Sequence, residues 1–142
     1  MARTKNHQLT ILLPEGWEDG TIFSFLGPER SGRRSIITMS VDPSASNAAS
    51  LEEYAKLRSA QVIDTTGDSK ILLEQLRKLS SGREVYEFAY RNGSGPATNY
   101  GWLAFFIENG SGYTVQCRSD RASRAVSQAA FSQVLESLSV GR

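Results

Sequence analysis

The chain has 142 residues, of which 39% are hydrophobic and 22% charged, and its formal net charge is +1. This length suits a single domain spanning residues 1–142, and the composition is that of a globular protein rather than a disordered one. The near-neutral charge argues against a nucleic-acid partner. Cys117 is the single cysteine, which excludes an intrachain disulfide and fits a reducing compartment.

The N-terminal residues carry a basic start but no apolar stretch long enough for a secretory signal or a membrane span. The run from Leu9 to Leu13 is short, contains Thr10 and ends at Pro14. We therefore expect a cytoplasmic protein with no stable membrane insertion.

The first half of the chain predicts strands followed by one helix. Residues 8–12 and 21–26 read as strands around a corner that contains Pro14, and residues 34–41 alternate and are rich in β-branched side chains, which predicts a third strand. Ser50 and Glu53 form a capping-box pattern at the start of the helix. Its apolar face should contain Leu51, Tyr54, Ala55 and Val62, with Leu57 at the edge, and it should end before Gly67.

The second half predicts four strands, over residues 70–79, 83–92, 99–108 and 113–119. Short, glycine-rich connections between them indicate an antiparallel meander. A last helix follows, capped by Ser119 or Asp120, whose apolar residues repeat at helical spacing: Phe131, Val134, Leu135 and Leu138. The order βββ-α-ββββ-α predicts an α+β fold, with an antiparallel sheet of six to seven strands flanked by helices.

One strand of the meander is apolar on both faces. Trp102, Ala104 and Phe106 alternate with Leu103, Phe105 and Ile107. That strand should lie at the centre of the sheet, covered on both sides. Two helices are too few to cover both faces of a seven-stranded sheet, so some apolar sheet surface should remain open to a partner.

The residues that enzymes use are scarce. His7 is the only histidine, and with one cysteine it cannot supply the three or four ligands of a zinc site. Glu15, Glu18 and Asp19 cluster at the corner and could in principle act as paired carboxylates, but a solvated turn is the simpler interpretation. We therefore expect a protein that is not an enzyme, with no catalytic residue, metal or cofactor.

The corner carries a family resemblance. Leu13-Pro14-Glu15-Gly16-Trp17-Glu18-Asp19, followed by the strand Thr21–Phe25, resembles the N-terminal signature of the small bacterial DcrB/Eag-type family, which has a PsbP-like fold. Residues 50–54, 83–90 and 131–138 resemble that family's first helix, central hairpin strand and terminal helix. The likeness spans nearly the whole chain and implies a PsbP-like α/β sandwich.

Resemblance to the Eag branch implies a cytosolic adaptor chaperone of type VI secretion. Such proteins are homodimers that hold the apolar N-terminal transmembrane segments of secreted effectors until these are loaded onto the spike protein. For the client-binding groove, the resemblance and the strand faces together nominate Ile22, Ser24, Met39, Val41 and Leu57. The alternative for Ile22, Met39 and Val41 is contact with a covering helix.

Two other functions stay open. Resemblance to DcrB and PsbP implies an accessory protein of an envelope or photosynthetic complex. An enzyme that uses the corner carboxylates or Cys117 is the third hypothesis.

Overall fold

The computed structural model describes residues 3–6, 9–12, 14–15, 22–27, 35–42, 50–63 and 67–138. Eight strands and two helices follow one another along these residues: β1 (Arg3–Asn6), β2 (Leu9–Leu12), β3 (Ile22–Leu26), β4 (Ile36–Asp42), α1 (Leu51–Val62), β5 (Lys70–Lys78), β6 (Glu84–Asn92), β7 (Asn99–Glu108), β8 (Ser111–Asp120) and α2 (Arg124–Ser137). Strands β3 to β8 form one antiparallel sheet in the order β3-β4-β8-β7-β6-β5. The predicted α+β fold with a six-stranded sheet and two helices is confirmed.

The N-terminal part differs from the prediction by one strand. Arg3–Asn6 forms β1, which the sequence pattern did not mark, and β2 pairs with it in a separate two-stranded sheet. Polar and charged residues make up β1, so it offers no apolar alternation from which a strand can be predicted. Trp17 and Asp19 of the corner lie outside the described residues.

Both helices begin at defined turns. The Ser50 hydroxyl accepts a hydrogen bond from the Glu53 backbone N–H at 3.1 Å, as the capping-box pattern predicts for α1. For α2 the predicted cap at Ser119 or Asp120 is wrong. Ser123 occupies that position, and Asp120 instead accepts from the Ser123 backbone N–H at 2.8 Å. The Asp120 carboxylate therefore fixes the turn before the helix rather than its first free N–H groups.

The sheet has a separate core on each face. We call them the α2 face and the α1 face, after the helix that packs on each. On the α2 face the buried residues include Ile37, Val85, Trp102, Ala104, Phe106, Val115, Cys117, Phe131 and Leu135. On the α1 face they are Tyr54, Ala55, Ile63, Tyr86, Phe88, Tyr90, Leu103 and Phe105. Residues 101–106 of β7 are all buried, which confirms β7 as the central strand covered on both sides.

Candidate functional site

The two helices cover different halves of the sheet. Helix α2 packs on β8 and β7, whereas α1 packs on β7 and β6 from the other side. Helix α1 reaches β4 through the Arg58–Asp42 ion pair at one end, but within the described part of the chain neither helix has its main packing on the α1 face of β3, β4 and β8. We call this surface the trough.

The two faces of β8 differ in how far their side chains are exposed to solvent. Val115 and Cys117, which point to the α2 face, are fully buried, whereas Thr114 and Gln116 are half-buried and Arg118 is exposed. Because side chains alternate between faces along a strand, the second group lies on the α1 face. The trough floor is thus a solvent-accessible row beside a well-packed core.

Cross-strand pairing between β4 and β8 defines the floor. From one end to the other the pairs are Ile36 with Arg118, Thr38 with Gln116, Ser40 with Thr114, and Asp42 with Gly112. On the outer strand, Ser24 and Leu26 pair with Thr38 and Ile36. The floor is therefore made of hydroxyl and amide groups in the middle, with aliphatic side chains at one end.

Helix α1 forms one wall of the trough. Arg58 on α1 forms an ion pair with Asp42 on β4 at 3.7 Å, which joins the wall to the floor. Leu57 lies one helical turn after Tyr54 on the same helix, and 61% of it is exposed to solvent. Leu26 (59% exposed) and Ile36 (44% exposed) are the aliphatic side chains at the Arg118 end of the floor, and with Leu57 on the wall they make up what we call the apolar border.

The dimensions of the trough fit one helix. Neighbouring strands lie about 4.8 Å apart, so a floor of three strands is roughly 10 Å wide between its outer strands. An α-helix with its side chains is about 10–12 Å across. Strand β4 has seven residues, which at about 3.3 Å each makes the floor roughly 20 Å long.

A polar cleft of about 630 Å³ lies at the Arg118 end of the trough. Its lining residues are Ser35, Ile36, Thr38, Asn92, Asn99, Gln116, Arg118, Ser119, Asp120 and Ser123. With its amide oxygen toward Arg118, Gln116 accepts hydrogen bonds from the guanidinium at 3.0 and 3.2 Å. The cleft thus holds one guanidinium among neutral amides and hydroxyls, together with the carboxylate of Asp120.

The structure divides the sequence-predicted groove residues between the two faces. Ser24 lies on the floor opposite Thr38, Ile22 occupies the register position opposite Ser40, and Leu57 lies on the helix that forms the wall. Met39 and Val41 alternate with Thr38 and Ser40 and so belong to the α2 face, where Met39 packs against the core. The predicted set therefore does not form one surface, and for Met39 contact with the covered core is what the structure shows.

Sequence reasoning missed the residues that line most of the floor: Ile36, Thr38, Ser40, Thr114, Gln116 and Arg118. The period of two identifies which residues of one strand share a face. It does not identify which face of the next strand is continuous with it, because the pairing register decides that.

Cys117 is placed where it cannot readily act as a nucleophile. Its side chain is fully buried on the α2 face, and desolvation raises the pKa of the thiol to about 11. The thiolate, which is the reactive form, is disfavoured at neutral pH. His7, Glu18 and Asp19 lie outside the described residues.

Neither a cluster of metal ligands nor a membrane-spanning helix occurs in the described residues. In residues 3–6, 9–12, 14–15, 22–27, 35–42, 50–63 and 67–138, no group of three His, Cys, Asp or Glu side chains comes together to hold a metal ion. Within the same ranges, neither helix combines the length and the hydropathy needed to cross a bilayer.

Solved structures share this fold. A crystal structure of PA94 from Pseudomonas aeruginosa, described as a protein of unknown function and a candidate regulator, matches with a TM-score of 0.75 and 16% identity, over 100% of this chain and 98% of that one. The solution structure of cyanobacterial PsbP (CyanoP) from Synechocystis sp. PCC 6803 matches with a TM-score of 0.51 and 15% identity, over 93% of this chain and 86% of that one. These matches confirm the expected PsbP-like fold, and at 15–16% identity they show the fold alone. No protein-family model and no curated protein matches the sequence.

Proposed function

We propose that this protein is a non-catalytic adaptor chaperone that holds an apolar helix in the trough. Its client in this proposal is the N-terminal transmembrane segment of a type VI secretion effector, kept in the trough until it is loaded onto the spike protein. One observation carries the proposal: an open sheet face one helix wide, with a hydroxyl-lined floor and exposed leucine and isoleucine side chains at its borders.

The composition of the floor suits such a client. Transmembrane helices pack closely against small residues and hydroxyl side chains, which let the backbone approach and offer hydrogen bonds. Ser24, Thr38, Ser40 and Thr114 provide such a surface. An exposed transmembrane helix would aggregate in water, and the floor would replace the packing that the helix has in a bilayer.

The apolar border supplies the affinity. Leu26, Ile36 and Leu57 each leave about half of the side chain or more in water. Burial of apolar surface against a client contributes roughly 25 cal/mol per Å², so large aliphatic side chains at the border stabilise the complex most. The proposal needs no catalytic group and no cofactor.

We place this function in the cytoplasm, where effectors are made, and propose that the chaperone acts as a homodimer. A second copy would add a second wall or a second trough and enlarge the surface that shields the client. The dimer is tested separately from client binding, by light scattering on the purified protein.

The test is co-expression with the apolar N-terminal segment of a type VI effector. We expect the segment to stay soluble and to co-purify with the wild-type protein, and to be lost with Thr38→Arg, which places a long charged side chain in the middle of the floor. Gln128→Arg, the same charge on the exposed surface of α2, is the matched control and should bind like the wild type.

Two results would overturn the proposal. One is a client that is equally soluble with and without this protein. The other is a Thr38→Arg variant that binds normally. Because Thr38 is half-buried, Ser24→Arg at an exposed position serves as a second variant if Thr38→Arg does not fold. If these variants break a dimer and leave client binding intact, the trough is a dimer interface and the assignment fails.

A second candidate is an accessory protein of an envelope or photosynthetic complex. The likeness to the cyanobacterial PsbP structure over 93% of the chain favours it. Cell fractionation separates the two functions, because an accessory protein would be recovered with a membrane complex and the chaperone in the cytosol.

A further inference from the structure

We propose that the trough is directional and that a bound client helix lies with its C-terminal end at Arg118. This inference rests on the proposed function and adds the orientation of the client. It follows from the different chemistry at the two ends of the floor.

The Arg118 end presents an accessible guanidinium and side-chain amides beside the aliphatic side chains of Ile36 and Leu26. The Arg118 side chain is exposed on the floor, and none of the described carboxylates forms an ion pair with it. Gln116 accepts from Arg118 Nε and one terminal nitrogen, which orients the guanidinium. Asn92 and Asn99 line the same cleft with side-chain amides. Asp120 also lines it, and one of its carboxylate oxygens accepts from the Ser123 backbone N–H at 2.8 Å.

The other end carries a carboxylate in an ion pair. Asp42 closes the β4 row six positions after Ile36 and contacts Arg58 at 3.7 Å. The floor thus runs from a guanidinium with no described counter-ion to a neutralised pair. The accessible cation that a ligand would meet on the floor is therefore Arg118, and the Asp120 carboxylate in the same cleft is engaged by the Ser123 backbone N–H.

A helix has ends that match this difference. Its last four carbonyl groups lack partners within the helix, and its C-terminus carries a partial charge of about −0.5. The roughly 20 Å from Ile36 to Asp42 corresponds to about 13 helical residues, so an apolar helix of about 20 residues whose last turn lies at the Arg118 end extends past the Asp42 end. With its C-terminal end at Arg118, the free carbonyls meet the guanidinium and the amide donors.

The experiment uses a designed client, a helix of about 20 leucine and alanine residues fused to a soluble carrier domain and co-expressed with the full chain. One version carries three aspartates directly after the helix and the other carries them directly before it. We expect the version with the acidic C-terminal flank to be retained more tightly by wild type, by roughly threefold or more. Arg118→Glu should abolish or reverse this preference. Arg121→Glu makes the same charge change at an exposed site outside the cleft and should keep it.

The outcomes separate the orientation from the function. If both versions bind wild type equally, or the acidic N-terminal flank binds more tightly, the orientation is wrong while the chaperone function stands. The orientation is also wrong, and the chaperone function still stands, if Arg118→Glu and Arg121→Glu change the preference equally. If neither version binds, the proposed function fails as well.

Discussion

The ring of Tyr90 lies across Gly101. Tyr90 belongs to β6, and a methyl group at Gly101 on β7 would overlap its ring carbons. The hydroxyl of Tyr90 lies 3.3 Å from the side-chain amide of Gln116 on β8. A single side chain thus crosses the central strand and links the core under α1 to the floor of the trough.

Replacement of Gly101 by alanine should destabilise the protein by about 1–3 kcal/mol, because the new methyl group forces the buried Tyr90 ring out of its place. Urea unfolding measures the loss. A double-mutant cycle with Tyr90→Ala is the control, and the double variant should lose less than the sum of the single losses. Strictly additive losses, or a Gly101→Ala variant as stable as wild type, would show that the ring does not block this position.

The charge of Glu87 is buried beside two partners. Glu87 is only 8% exposed, accepts a hydrogen bond from the Gln75 side chain and lies 3.3 Å from Arg77 Nε. Glu87→Leu leaves the Arg77 guanidinium without this counter-ion. We expect a loss of roughly 1–3 kcal/mol in urea unfolding, at the lower end because Arg77 is partly exposed to water.

The matched control for this pair is the double variant Glu87→Leu with Arg77→Met, which removes both charges and keeps similar side-chain volumes. Its stability should return toward that of wild type. A double variant that is less stable than Glu87→Leu alone would contradict the view that the unpaired charge of Arg77 causes the loss of stability.

The Cys117 thiol should not react with thiol reagents while the protein is folded. Burial raises its pKa from 9.0 to about 11, so at pH 8 it should not react with a disulfide reagent until the chain unfolds. The unfolded chain loses this proton first. The contribution of Cys117 to stability is therefore fully present below about pH 9 and declines as the pH rises toward about 11.

Thiol labelling with and without denaturant checks the first statement, and urea unfolding from about pH 8 to about pH 11, a range that spans the two pKa values, checks the second. Cys117→Ala should show a flatter decline with pH. Native-state labelling as fast as that of the unfolded chain would mean that the thiol is accessible, against its position in the core.

Much of the fold follows from local sequence patterns. The alternation of large apolar residues in 102–107 identifies the central strand, and the spacing of Tyr54 and Ala55 identifies the inner face of α1. Strand β1 could not be predicted, since Arg3–Asn6 pairs through its backbone and has no apolar face.

The candidate site was predicted only in part, for a physical reason. Ser24 and Met39 lie on neighbouring strands, yet they point to opposite faces because Ser24 pairs with Thr38 and Phe23 pairs with Met39. A shift of this register by one residue would exchange the two faces. Since residues 27–35 separate the two strands, the sequence alone does not set that register.

Adjacent residues of β4 provide the most direct test of the account. Ser40 faces the trough and Val41 faces the opposite side of the sheet. A photo-crosslinking amino acid is placed at each position in turn, in cells that co-express an effector segment with an apolar N-terminal helix. The trough assignment predicts a crosslink to that helix from position 40 and none from position 41. A crosslink from position 41 with none from position 40 would contradict it.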